Sequence, residues 1–478
     1  MEQFSRRRFL EQSLSIVAGA SLTRVAHSEP TYLPKRSANE RVNVAVIGVR
    51  SRGLDHVGGY LGHPEANLVA ICDVDENVIA GAMLAAEKKG VPKPRYYSDI
   101  RKLLEDTSID AVSIATPNHW HALAAIWAMQ QGKDVYVEKP VSHNVHEGRI
   151  IVQTARKTKK ICQTGTQIRS MKGSREAIEY IHSGKIGKVT IARGLCYKRR
   201  KSIGMRADTA VPAGVHYDLW LGPAPVRPFN SSRFHYDWHW NWNYGNGDLG
   251  NQGIHQMDVA RWALNKNQLP KSVVTVGGRF GYVDDGDTPN TVVSCFDYGD
   301  AELIFEVRGL ETDGLMNAKV GNIIYGSEGY VVFTGYDEAF AFDNKGQQVQ
   351  HFNGGGDHYG NFLSAVKSRK SQELHADIEE GHLSSALCHL GNISYLLGHS
   401  QHSTDRVEGF EGDAAAMETF GRFQQHLALN NVNLREVAYR LGSKLKIDPR
   451  KEEFIGNKEA NHLLTREYRK PFEVPAKV

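Results

Sequence analysis

The stretch Val42-Asn43-Val44-Ala45-Val46-Ile47, followed at once by Gly48-Val49-Arg50-Ser51-Arg52-Gly53, constrains this chain more than any other. Short, β-branched and nearly all apolar, it reads as a strand buried on both faces, as parallel strands are. Two glycines then allow a tight turn into a helix, expected over 54–61. A second strand over 67–72 leads to Asp73, some two dozen residues after Gly48. These are the parts of a dinucleotide-binding βαβ unit. The turn and helix N-terminus face the pyrophosphate, and the strand-end acid takes the ribose 2′-hydroxyl. An acid there repels a 2′-phosphate, so NAD is expected rather than NADP. Gly48, Arg50, Ser51, Arg52 and Gly53 are the expected turn contacts. Arg50 replaces the middle glycine of the usual fingerprint, and Arg50 or Arg52 would meet phosphate through its guanidinium.

The alternation continues with a helix over 80–89, a strand over 109–115, a helix over 122–131, a strand over 134–137 and a helix over 147–158. That order predicts a doubly wound parallel sheet whose ligands bind beyond the carboxyl ends of the strands. From residue 186 the texture changes to hairpin-spaced strands over 189–197, 272–282, 291–298, 302–308 and 322–334, with turns such as Gly299-Asp300 and Gly326-Ser327-Glu328-Gly329. The expected architecture is α/β. It has an N-terminal doubly wound Rossmann domain over 41–160, a C-terminal α+β domain with an open, mostly antiparallel sheet over 161–400, and a helical extension over 401–478.

Composition excludes several function classes. With 58 Lys and Arg against 54 Asp and Glu, the net charge is only +4, and no basic block lies beyond the N-terminus, so no nucleic-acid partner is expected. Cys72, Cys162, Cys196, Cys295 and Cys388 are far apart and form no CxxC. His216, Asp218, His235 and His239 follow no ligand spacing, and no metal is expected. Apolar runs are too short for a spanning helix, so stable membrane insertion is not expected. Residues 1–28 read instead as a removable leader. Ser5-Arg6-Arg7-Arg8-Phe9-Leu10 precedes a small-residue-rich apolar stretch and a cleavage site near Ala26-His27-Ser28. Paired arginines before Phe-Leu match the twin-arginine type, which exports folded proteins, so a periplasmic location and a partnership with that export machinery are expected. Residues 29–40 read as a linker.

Two segments leave strands at the ligand edge: Thr116-Pro117-Asn118-His119-Trp120-His121, and Glu138-Lys139-Pro140. TPNxxH after one strand and EKP after the next resembles the glucose-fructose oxidoreductase/inositol dehydrogenase/rhizopine catabolism (Gfo/Idh/MocA) family. The resemblance implies a catalytic Lys139, a cis peptide before Pro140, and cofactor contacts from Thr116, Asn118, His121, Glu138 and Lys139. It also places Gln167, as a cofactor contact, and Arg169, as a substrate contact, in site-facing positions. Gly247 to Trp262 resembles the family's D-x-G-x-H helix and makes His255 the general acid/base, with Asn251 standing where the family has an aspartate. Asparagine can hydrogen-bond a sugar hydroxyl but accepts no proton. If helical, Asn251, His255, Asp258 and Trp262 share a face and suggest a cleft. Upstream, Trp238, Trp240 and Trp242 alternate, as if pointing one way from an extended segment. With His239 between them, Trp238 and Trp240 suit stacking against a sugar, although a domain-interface plug explains them nearly as well. The family's open sheet also implies a homo-oligomer.

The expected function is an exported NAD-dependent oxidoreductase acting on a CH–OH group of a sugar, polyol or glycoside. His255 or Lys139 takes the hydroxyl proton as hydride leaves, and the other polarises the oxygen. The same groups would serve a redox-neutral glycosidase that passes through a 3-keto sugar. A non-catalytic sugar-binding protein retaining its nucleotide is the third reading. Export without a free NAD pool implies tightly held cofactor.

Overall fold

The computed structural model describes residues 41–402 and 407–478. The expected leader and linker lie outside them. The N-terminal sheet holds β1 (Val42–Ile47), β2 (Ala66–Cys72), β3 (Arg95–Tyr97), β4 (Ala111–Ile114), β5 (Asp134–Val137) and β6 (Cys162–Thr164) in the order β3-β2-β1-β4-β5-β6. All pairs are parallel. This is the doubly wound Rossmann order. The alternation of β1 supplies both faces. Val44 and Val46 pack with Val57 and Tyr60, whereas Ala45 and Ile47 pack with Leu123 and Ile126. β6 lies past residue 160, so the first domain runs further than expected; three residues are too few for a periodic signal. Phe362 and Leu363, from the His358–Ser368 helix, also close this sheet.

The second sheet contains β7 (Val189–Tyr197), β8 (Ser272–Gly278), β9 (Thr291–Asp297), β10 (Glu302–Arg308), β11 (Val320–Gly326), β12 (Gly329–Phe333), β13 (Glu338–Asp343), β14 (Gln348–Asn353), β15 (His399–Gln401), β16 (Tyr439–Leu441), β17 (Leu445–Asp448) and β18 (Glu453–Phe454). Its order is β14-β13-β12-β11-β7-β10-β9-β8-β16-β15, with β17 joining β8 and β18. Within this sheet, among the described residues, only β7 and β10 pair in parallel. The segment 322–334 is two strands folded at Gly326–Gly329 rather than one. The region past 400 is not only helical. It holds the Ala414–Leu429 helix, but β16 and β17 pair with β8.

The Ile254–Ala263 and Ile378–Leu396 helices pack one face of this sheet through Met257, Ala260 and Leu387. On the opposite face Phe420, Phe423 and Leu427 of the Ala414–Leu429 helix cover Val274, Val276, Val293 and Ile304. Among the described residues no helix is long and apolar enough to cross a membrane, and all five cysteines are free and buried.

Candidate active site

The turn after β1 is built on Gly48. Its φ is +82°, and a Cβ there would stand 2.7 Å from the Ala115 carbonyl oxygen, so the position admits only glycine. Gly53 packs on the Gly48 carbonyl and does not line the cleft. At the end of β2, the Asp73 carboxylate accepts the Val49 amide at 2.8 Å and the Asp75 amide at 3.0 Å. It thus fixes the turn, and burial pushes its pKa up to about 6. Arg50 is exposed on the cleft wall beside Ser51. Arg52 is committed elsewhere, since its Nε donates to Glu138 Oε1 at 2.8 Å. Its Nε is therefore not free for a phosphate, although the side chain lines the cleft.

Glu138 is likewise taken. Burial alone would raise its carboxyl, but Arg52 and His56 outweigh that and hold it well below the usual carboxylate range. The next peptide, Lys139–Pro140, is cis. Lys139 Nζ reaches the Asn251 carbonyl at 2.6 Å, and burial lowers its pKa. His121 ties the two strand-end loops together, with Nδ1 2.6 Å from the Pro140 carbonyl and Nε2 2.7 Å from that of Thr116. Asn118 donates to Asn246 Oδ1 at 3.0 Å.

Opposite them the chain makes one π-helical turn, Leu249–Gly253, before the Ile254–Ala263 helix. Such turns interrupt the regular ladder and recur at functional sites. This one presents the Asn251 carbonyl to Lys139 and places His255 against Tyr336, with ring centroids 5.0 Å apart. His255 is 3% exposed, and burial together with the Lys139 charge pushes its pKa down to about 3. The stripe expected on this helix exists, but only its first end lines the cleft. Asp258 accepts Arg169 Nε at 2.7 Å, and the Arg169 guanidinium lies 4.9 Å from the Trp262 ring. Arg169 also pairs with Glu380 at 2.9 Å. The substrate role expected for Arg169 is therefore corrected: its donors hold a buried carboxylate.

The tryptophans do not point one way. Asp237–Trp240 forms a 3₁₀ turn, which rotates successive side chains by a third of a circle. Trp238 lines the cleft with His239 stacked on it, centroids 3.6 Å apart. Trp240 instead lies 5.0 Å from the Arg200 guanidinium, which pairs with Asp248 at the start of the π turn. Trp242 lines a separate cavity. Tyr236, Gln252 and Tyr336, which no motif announced, complete the wall. Gln252 donates to the Tyr336 hydroxyl at 3.0 Å, a contact across 84 residues that no local spacing encodes.

The result is one cavity of about 610 Å³ running from the glycine turn to His255 and Tyr336, a size typical of small-molecule sites. Three buried polar atoms on its lining residues have no protein partner: Thr116 Oγ1, Gln167 Oε1 and His255 Nδ1. With the Gly48 cradle and Asp73, this donor and acceptor set fits a dinucleotide beside a hydroxylated substrate.

Residues 42–166 match the family model described as an oxidoreductase family, NAD-binding Rossmann fold, and residues 181–423 and 418–474 match that family's C-terminal alpha/beta domain. The chain belongs to the Gfo/Idh/MocA oxidoreductase family. Residues 42–166 of this Gfo/Idh/MocA protein accordingly form an NAD-binding domain. Its curated relatives include a glycosyl hydrolase family 109 protein of Saccharopolyspora erythraea, 30% identical over 207 residues (40% of this chain, 45% of that protein). An alpha-N-acetylgalactosaminidase of Shewanella oneidensis is 31% identical over 206 residues, with the same coverage. The matched stretch spans a little under half the length of these relatives. The fold is shared with levoglucosan dehydrogenase in complex with NADH and levoglucosan (TM-score 0.56, 20% identity, 74% of this chain and 97% of that one). It is also shared with the WlbA dehydrogenase of Chromobacterium violaceum in complex with NADH and UDP-GlcNAcA (TM-score 0.55, 19% identity, 74% and 93%).

Proposed function

We propose that this protein is an NAD-dependent enzyme that oxidises a CH–OH group of a sugar, polyol or glycoside, with Lys139 and His255 handling the proton. The observation that carries this reading is the convergence of the two groups on one cavity with the glycine turn and Asp73. Bound NAD supplies a reversible hydride acceptor. The protein residues supply the rest. His255 is neutral at pH 7 and lines the cavity, so its imidazole can accept the hydroxyl proton. Lys139, anchored through one donor to Asn251, keeps further donors for the substrate oxygen. Tyr236, Trp238 and His239 offer ring faces to the apolar side of a sugar and exclude water.

A second reading, a redox-neutral glycosidase, is favoured by the names of the curated relatives. After the sugar hydroxyl has become a ketone, the neighbouring C–H is acidic. The same pair would remove that proton and give one to the departing glycosidic oxygen, water would then add to the alkene, and return of the hydride to the ketone would restore the alcohol with no net oxidation. We further propose export by the twin-arginine route with NAD loaded before transport, supported by Ser5 to Leu10 and the apolar stretch after it.

The test combines two assays. Purified protein is dialysed and its bound nucleotide quantified, then offered free polyols and chromogenic glycosides. Reduced nucleotide accumulating with a polyol supports the dehydrogenase. Aglycone release without net reduction supports the glycosidase. Turnover of neither class over a broad panel would overturn both.

A further inference from the structure

After β7 the chain leaves the second sheet and crosses to the nucleotide side of the cleft. Residues 213–216 run antiparallel to residues 74–77, immediately beyond Asp73. Val215 and Asp75 form an isolated β-bridge. The Glu76 amide donates to the Gly214 carbonyl at 2.9 Å, and the His216 amide donates to the Val74 carbonyl at 2.8 Å. Asn77 Nδ2 donates to the Ala213 carbonyl at 3.0 Å, and His216 Nε2 lies 3.0 Å from Glu76 Oε1. Gly214 has φ +78°, and a Cβ there would come 3.3 Å from Asn77 Nδ2. Further along the same excursion His235 is held at φ +53°, a conformation rare for a residue with a side chain. Its Nε2 lies 3.3 Å from Asp75 Oδ2, and it lines the cleft with Val74 and Asp75.

In a doubly wound sheet the nucleotide lies beyond the carboxyl ends of the strands, with its adenosine ribose at the end of β2. A segment zipped to residues 74–77 therefore spans the edge past which that ribose would leave. Backbone strain at His235, kept beside the ribose-side acid, marks a position that the surrounding structure holds in place.

We propose that residues 213–216 and His235 form a clamp that governs how fast NAD exchanges, so that release requires the bridge to residues 74–77 to open. The inference rests on the NAD-binding reading of the cleft and not on the sugar chemistry. Its balance is purely non-covalent, since opening breaks two backbone hydrogen bonds and the side-chain contacts around them.

The experiment measures loss of isotopically labelled NAD from the full chain during a chase with unlabelled NAD. Gly214→Val, which disturbs the bridge, should accelerate release at least tenfold. An Asp75→Cys/Val215→Cys variant provides a lock, because a non-hydrogen-bonded antiparallel pair is spaced for a disulfide. The native cysteines are all buried and leave this pair as the reactive one. Oxidised protein should release NAD at least tenfold more slowly than the same protein after dithiothreitol, a comparison in which the loss of the Asp75 carboxylate cancels. Equal rates in the oxidised and reduced forms, within twofold, would overturn the clamp even if Gly214→Val misfolds. A protein that exchanges NAD as expected yet turns over no sugar would leave the clamp standing and remove the proposed activity.

Discussion

Lys139 shapes the charge of His255. The ammonium disfavours an imidazolium, and after burial it is the main reason that His255 stays neutral. Lys139→Ala should therefore raise the His255 pKa above its value of about 3, and a histidine-resolved NMR titration would show it. Each of Lys139→Ala and His255→Ala should cut turnover by about 10²-fold or more while bound nucleotide stays near wild type. The double variant should be little worse than either single, as for groups acting together. Full activity in either single would dismiss the pair. Asp73 makes a pH prediction. Its folded pKa is raised to about 6, so the carboxylate form that the NAD-binding proposal pairs with the ribose is present above that pH and lost below it. NAD affinity should fall as pH drops from 7 through 6, and Asp73→Asn should flatten that dependence. The sign for stability is the reverse. The raised pKa favours the fold below the ordinary Asp range, and that contribution disappears as pH climbs through 6. The place of Asp73 beside the glycine turn was legible because a strand-end acid lies at a fixed distance from that turn. The fate of Glu138 was not, because the arginine that takes it lies 86 positions away.

The π turn and the helix behind it are fitted to their neighbours rather than to any local rule. A Cβ on Gly253 would stand 2.6 Å from Phe305 Cζ and 2.9 Å from the Asp248 carbonyl. Gly253→Ala should cost about 1–3 kcal/mol as an overpacking change and lower activity by displacing His255, read from urea unfolding alongside kcat. Asp258→Ala should cost about 3–5 kcal/mol by breaking a buried ion pair and leaving the Arg169 guanidinium with Glu380 as its one remaining carboxylate. A rise in KM with unchanged stability would instead return Arg169 to substrate binding. Burial would raise the Asp258 carboxyl, but Arg169 outweighs it and holds it below its usual range, so this contribution is present above that range and fades as pH falls through it. Helical spacing correctly put Asp258 and Trp262 on the His255 face. It could not say where the cleft ends, because that limit is set by Arg169 arriving from residues after β6. Hairpin spacing likewise disclosed β7–β10 but not β13 and β14, whose exposed outer strand lacks an apolar face.

The two halves are locked together by segments distant in sequence. Phe472 and Val474 fill the Rossmann core beside Trp120, Trp127 and Leu123. Arg469 pairs with Asp218 at 2.6 Å, and Tyr468 Oη accepts from Asn144 at 3.1 Å. Phe472, only 2% exposed, should cost about 3 kcal/mol on replacement by alanine. The loss should register in the midpoint of nucleotide-domain unfolding rather than in the second sheet alone. A change confined to the second domain would show that the tail does not support the first. The Ala414–Leu429 helix bears on assembly. Because it covers β8–β10, any contact between copies through the open sheet face is narrowed to the β11–β14 end, where Tyr330 stacks on Phe342 with centroids 4.9 Å apart.

The tail also sets a schedule. A ribosome makes the nucleotide-binding half first, yet Asn144 meets Tyr468 across 324 positions. Until residues 464–474 emerge, the hydrophobic flank around Trp120 and Trp127 lacks the cover of Phe472 and Val474, and the nucleotide domain waits half-finished. Closing so long a loop is slow compared with forming local helices. Vectorial synthesis thus makes the nucleotide domain the first part to be made and one of the last to be finished.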